Sequence, residues 1–173
     1  FEILSDPKTH PDPNVRVALV KGLAIASGGG GMVGGQMIDL ESENCDVDLE
    51  TISRMQRLKT GALISFSCEA GAILGKASVE EKQALIKYAQ DIGLAFQIAD
   101  DLLDVLGTEE ATGKTINKDG EAGKATFVSL LGISQAQKRA QFLIDNAIGQ
   151  LDMFGNKAAN LRAIADFIVD RRA

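Results

Sequence analysis

The sequence is short of the residues that usually build metal centres and cross-links. It holds two cysteines, one histidine and three prolines in 173 residues. Cys45 and Cys68 are too few for a disulfide framework, so a reducing, cytoplasmic setting is the default expectation. His10 lies beside Pro7, Pro11 and Pro13 in SDPKTHPDPN, the one loop that takes every proline, and reads as solvated. Long apolar runs are also missing. No stretch reads as a bilayer span or a signal peptide. Basic charge is in deficit: the net charge is −6 and the sequence pI about 4.8. That balance argues against a nucleic-acid binder or a protein held on anionic membranes. No stretch reads as a sheet.

What is present is helical patterning with 45% hydrophobic residues, enough for one packed domain. The chain opens on Phe1, and FEIL reads as the tail of a helix, so the sequence is expected to continue upstream. Residues 15–26 read as a helix with Val17, Val20, Leu23 and Ala24 apolar. In SGGGGMVGGQMIDLESE, Gly29, Gly31 and Gly34 match a dinucleotide fingerprint by spacing. No strand precedes them and no βαβ pattern follows, so that reading is rejected. A helix whose glycines permit close packing against a neighbour or ligand is the alternative. Gln36 and Asp39 are three apart and share a face, at a cavity wall or at the core edge.

Asp48 is a plausible N-cap for a helix over 49–74 with the stripe Ile52, Met55, Leu58, Leu63, Phe66, Ala70 and Ile73. Lys59 projects within that stripe. A core-facing lysine either snorkels to the rim or meets an anion, and periodicity leaves both readings open. Thr60 adds a hydroxyl beside it. Ser78 and Glu81 have the spacing of a capping box and open the next helical run, as one helix or two.

That run leads into FQIADDLLDVLG at 96–107, the most informative stretch. At about 100° per residue, Asp104 lies roughly 40° from Asp100, Gln97 roughly 60° and Asp101 roughly 100°. Apolar residues fill the rest of the circle, so the helix should be buried with its carboxylates facing an internal polar cavity. Carboxylates on one arc repel each other, and a bound cation relieves them. With no histidine or cysteine nearby, the oxygen ligands suit a hard ion such as Mg²⁺. The competing reading is a solvated acidic face, which the apolar flanks weigh against. Gly107 is a natural helix stop. TEEATGKTINKDGEAGKA at 108–125 follows, with Lys114, Lys118 and Lys124 among glycines. Its GKT has the wrong spacing for a P-loop and follows a helix. The loop reads equally as a phosphate site or as a solvated charged loop. Further helices are expected over 127–131, 134–153 (Phe142, Leu143, Ala147 and Leu151 apolar) and 156–170 (Leu161, Ile164, Ala165 and Ile168).

Together these features suit a diphosphate held by a hard cation and lysines at an apolar cavity. FQIADDLLD resembles the second aspartate-rich motif of the trans-isoprenyl diphosphate synthases. KTGALI at 59–64, GGQMIDL at 34–40 and GKTINKDGEAGKATF at 113–127 resemble companion motifs, in the family's order. The likeness covers nearly the whole chain and is nearest to bacterial farnesyl diphosphate synthases.

The resemblance implies an all-α, isoprenoid-synthase-type helical bundle around a central cavity. Residues 1–173 would form the C-terminal portion of one polyprenyl synthetase domain, without its N-terminal helices. It implies Mg²⁺-dependent, head-to-tail condensation of isopentenyl diphosphate with an allylic diphosphate (dimethylallyl or geranyl) to give farnesyl diphosphate. By that likeness Asp100 would bind Mg²⁺ directly, with Asp101 and Asp104 close by. Lys59, Lys114 and Lys124 would contact the allylic diphosphate, and Thr60 and Gln97 would face the developing cation. Gln36, Asp39 and Asp119 would support them from behind. A homodimer is expected of the parent protein, with no nucleic-acid partner and no stable membrane insertion. The family's first aspartate-rich motif has no counterpart here: DLESENCDVD lacks its apolar helical setting and following arginines. The isolated chain is therefore expected to be nearly inactive. A longer-chain synthase of the geranylgeranyl type, or a non-catalytic synthase-like subunit, are the alternatives; a terpene cyclase fits the lysine motifs less well.

Overall fold

The structure is a computed structural model that describes residues 1–106 and 125–170. All regular structure among them is helical. In chain order the elements are α1 (Glu2–Ser5), α2 (Pro13–Ser27), α3 (Met32–Glu41), α4 (Leu49–Gln56), a π-helical turn (Arg57–Gly61), α5 (Ala62–Leu74) and α6 (Val79–Leu106). After the undescribed segment come α7 (Phe127–Leu131), α8 (Ile133–Gln150), a 3₁₀ stretch (Asp152–Ala158) and α9 (Ala159–Asp170).

The helix starts follow local chemistry. Asp12 caps α2 by accepting from Asn14 N–H at 2.8 Å, with Pro13 at the first position, where its missing N–H costs nothing. Asp48 caps α4 by accepting from Thr51 N–H at 2.8 Å, and that bond holds its carboxyl below the usual range. At α6, Ser78 N–H donates to Glu81 Oε2 at 2.7 Å and Glu81 N–H donates to Ser78 Oγ at 3.1 Å. This reciprocal box opens one uninterrupted helix of 28 residues, which answers whether the run is one helix or two.

α6 is the axis of the core. Its buried Tyr88, Ala89, Ile92, Leu94, Ala95, Ile98 and Ala99 pack against α8, which contributes Ala136, Ala140, Leu143, Ile144 and Ala147. Ile52 and Met55 of α4, Phe127 of α7, and Ala165 and Ile168 of α9 close the cluster. α5 lies along α6, and α2 lies along α5. The burial expected of the aspartate helix holds through Ala99 and at Asp101 and then fades: Val105 and Leu106 are exposed. Its expected stop, Gly107, lies outside the described residues.

Three other expectations change. The helix expected over 49–74 is interrupted by the π-turn. Val17, Phe142 and Ile164, read as core-facing, are exposed. The contact made by each of those helices is narrower than its apolar stripe. Finally, Pro13–Glu41 does have the length and mean hydropathy (29 residues, 1.4) of a membrane-crossing helix. The turn at residues 28–31 divides it into helices of 15 and 10 residues, each short of the ~20 that a bilayer core requires.

Tyr88 ties two layers together. Its side chain is fully buried, and its hydroxyl donates to the Leu161 carbonyl at 2.7 Å. Burial pushes its pKa up to about 12, with a smaller contribution from Cys68. The folded pKa is raised, so its stabilising effect is complete below the unfolded value near 10 and is lost as pH rises to about 12. Tyr88→Phe should lower stability by about 1 kcal/mol at pH 7, because the Leu161 carbonyl loses its donor. The variant should also lack the wild-type loss of stability between pH 10 and 12. Denaturant unfolding of both proteins across that range tests both statements.

Candidate active site

Three elements converge on one cavity. α3 supplies Asp39, the π-turn supplies Lys59 and Thr60, and α6 supplies Gln97, Asp100 and Asp101. Met55 and Gln56 from α4, with Ala125 and Thr126 just before α7, complete a lining around about 200 Å³.

The π-turn decides where the two central side chains point. A π-turn places one extra residue in a helical turn, and such turns are frequent at functional sites. Here the turn is pressed between α3 and α6. Lys59 reaches α3, where its Nζ lies 2.7 Å from Asp39 Oδ2. Thr60 reaches α6, where its hydroxyl donates to Gln97 Oε1 at 2.9 Å. Lys59 therefore meets an anion, which resolves the two readings of its position in the stripe.

Charge is distributed unevenly over the acidic residues. Asp39 is buried, with a side chain 10% exposed, and the Lys59 ammonium compensates it. Asp101 is buried too, and its Oδ2 accepts from the Phe127 N–H at 2.8 Å, at the first turn of α7. Asp100 is exposed at the cavity's edge. Asp104 is half-buried one turn further on, and Gln36 is half-buried on α3; neither lines the cavity. Lys114, Asp119 and Lys124 lie outside the described residues.

Gln56 and Thr126 were not singled out from sequence, and Met55 was read only as part of the apolar stripe. Gln56 Oε1 is buried and has no hydrogen-bond partner among the described residues. An acceptor so placed suits a strong donor, such as a water polarised by a cation. The rest of the set is consistent: carboxylates and amide oxygens, with no thiol or imidazole on the lining. Such oxygen donors fit a hard divalent ion. No three acidic, histidine or cysteine side chains among the described residues stand close enough to hold a metal by themselves. A cation here would rest on one or two carboxylates and complete its shell with ligand oxygens and water, the habit of Mg²⁺ with phosphates.

Known proteins resemble this chain in sequence and in fold. The polyprenyl synthetase family model matches residues 15–165. The chain belongs to the polyprenyl synthetase family. It is 41% identical to a geranylgeranyl diphosphate synthase from Cyanophora paradoxa, over 99% of this chain and 57% of that protein. It is also 41% identical to the farnesyl diphosphate synthase of Escherichia coli (strain K12), over 99% of this chain and 59% of that protein. A crystal structure of an FPP/GFPP synthase from Zymomonas mobilis superposes with a TM-score of 0.85 at 53% identity, covering 97% of this chain and 56% of that one. The geranyltransferase of Helicobacter pylori, solved with magnesium and isoprenyl diphosphate, gives 0.80 at 32% identity, covering 98% and 55%. The chain thus spans about half the length of the relatives it matches. The all-α fold expected from sequence is the fold of this polyprenyl synthetase family member.

Lys59→Met should leave the Asp39 carboxylate buried without its cation and cost about 1–3 kcal/mol. Because the lysine side chain is 34% exposed, the lower half of that range is expected. With Asp39→Asn as the second arm, a double-mutant cycle should give a coupling of at least about 0.5 kcal/mol. Urea unfolding of the four proteins measures it.

Proposed function

We propose that this chain forms one wall of the active site of a Mg²⁺-dependent prenyltransferase. The reaction is head-to-tail condensation of isopentenyl diphosphate with an allylic diphosphate. The observation that carries this reading is the single cavity that brings Lys59, Thr60, Gln97 and Asp100 together at the end of an apolar core. Family membership supports the chemistry.

The residues divide the work. Lys59, oriented by Asp39, offers an ammonium to the diphosphate oxygens. The Thr60 hydroxyl has its proton committed to Gln97, so what it presents to the cavity is lone-pair density. Such density stabilises a carbon that becomes positive as the allylic C–O bond breaks. The isopentenyl double bond then forms the new C–C bond, and a proton is lost. Bound Mg²⁺ would supply charge stabilisation for the departing diphosphate, with Asp100 as its leading ligand and Asp101 and Asp104 beside it.

We assign the product as farnesyl diphosphate. The relatives include both farnesyl and geranylgeranyl diphosphate synthases, so the length assignment rests on the likeness of the motifs and is tested by product chromatography.

In the full-length parent protein, Asp100→Ala should lower Mg²⁺-dependent turnover well over tenfold, or more than about 1.4 kcal/mol in the barrier. Turnover within tenfold of wild type would remove Asp100 from the metal site. The 173-residue chain assayed alone with both diphosphates should show little condensation, because its sequence offers no counterpart of the first aspartate-rich motif. Robust turnover by the chain alone would overturn that expectation.

A further inference from the structure

The π-turn that aims Lys59 and Thr60 is gripped from both sides by glycine. On one side, a Cβ built on Gly35 of α3 would press on the Lys59 amide nitrogen and lie 2.7 Å from Lys59 Cα and 2.8 Å from its Cβ. Two of those atoms are backbone, so no rotamer change relieves the contact. On the other side, a Cβ on Gly93 of α6 would lie 3.2 Å from Gly61 Cα, the last residue of the turn. Two other helical glycines behave differently. Gly71 in α5 and Gly149 in α8 face open space, where an added methyl touches nothing. Gly35 is buried, and it precedes Asp39 by four residues, one helical turn. The approach that only glycine permits at Gly35 therefore sets how near the Asp39 carboxylate comes to the Lys59 ammonium. Gly93 likewise precedes Gln97 by four residues, and its approach sets the reach of Gln97 to Thr60.

We infer that Gly35 and Gly93 are positioning residues that clamp the Arg57–Gly61 π-turn and so aim Lys59 and Thr60 into the cavity. The consequence for diphosphate binding rests on the function proposed above; the clamp itself does not. Each glycine acts through the turn and touches no ligand.

The test uses the whole 173-residue chain with Gly35→Ala, Gly93→Ala, Asp39→Asn, Gly71→Ala and Gly149→Ala. The readouts are hydrogen exchange of the amides in the turn, reductive methylation of Lys59 relative to exposed Lys138 by peptide mass spectrometry, and unfolding temperature. Gly35→Ala should raise Lys59 methylation to the level of Asp39→Asn, and both clamp variants should speed exchange in the turn by about tenfold. A general loss of stability would not single out Lys59 over Lys138. Gly71→Ala and Gly149→Ala should change neither readout. Gly93→Ala asks for a shift of only a few tenths of an ångström and tests the clamp even where Gly35→Ala does not fold. Unchanged exchange and methylation in Gly93→Ala, or equal loosening by the two control variants, would overturn the inference. Calorimetry with inorganic diphosphate and Mg²⁺ adds the functional arm, with binding weakened about tenfold in the clamp variants. If the wild-type chain binds no diphosphate, the functional proposal fails, while exchange and methylation still judge the clamp.

Discussion

A lysine that projects within an apolar stripe must reach solvent or find an anion, and Lys59 finds Asp39 at 2.7 Å. Much of the site's layout follows from that pairing. Asp39 can reach Lys59 because α3 comes close enough to press on the backbone of the π-turn, and α3 comes that close because Gly35 has no side chain. The turn in turn rests on α6, the helix around which the core is built. One electrostatic requirement is thus met by a chain of steric ones, running from the cavity to the centre of the hydrophobic cluster. The helical propensity lost to glycine in α3, roughly 1 kcal/mol per position, is offset by the contact it allows.

α6 serves two purposes along its length. Its middle is almost entirely buried and supplies packing. Its C-terminal third carries Gln97, Asp100 and Asp101 on the arc that faces the cavity. Because the same rigid helix does both, the positions of the site residues are set by core packing rather than by a loop. Asp101 extends this coupling: by accepting from Phe127 N–H it pins the start of α7, whose Phe127 ring is fully buried in the core. A carboxylate in the aspartate-rich stretch therefore also holds a tertiary contact.

Much of this was legible in the sequence. The narrow polar arc in FQIADDLLD marked a buried helix with a functional face, since apolar residues on nearly all sides leave a carboxylate few places to go. Caps at Asp48 and Ser78 were readable because their chemistry is local and sits within three residues of the helix start. The π-turn was not readable. The apolar stripe of α4 resumes in α5, so the pattern reads through the inserted residue as one helix. Without the turn, Lys59 and Thr60 appear as neighbours with no reason to face different helices. Gln56 stayed hidden for a similar reason: it sits beside Met55 in the stripe, and only the packed structure shows that its oxygen is buried. Exposure of Val17, Phe142 and Ile164 reflects the reverse error, because periodicity reports which face is apolar and not how much of it is covered.

The distribution of charge around the cavity also answers the objection that several carboxylates cannot share one small space. Their repulsion depends on how many are buried without compensation. Asp39 is buried but paired with an ammonium. Asp101 is buried but bonded by a backbone N–H. Asp100 keeps its contact with solvent. Within the described structure each of these carboxylates thus has its own source of stabilisation. A cation's role is then greatest in the bound state, where a diphosphate would bring further negative charge to a cavity whose described side chains already set three carboxylates against one ammonium.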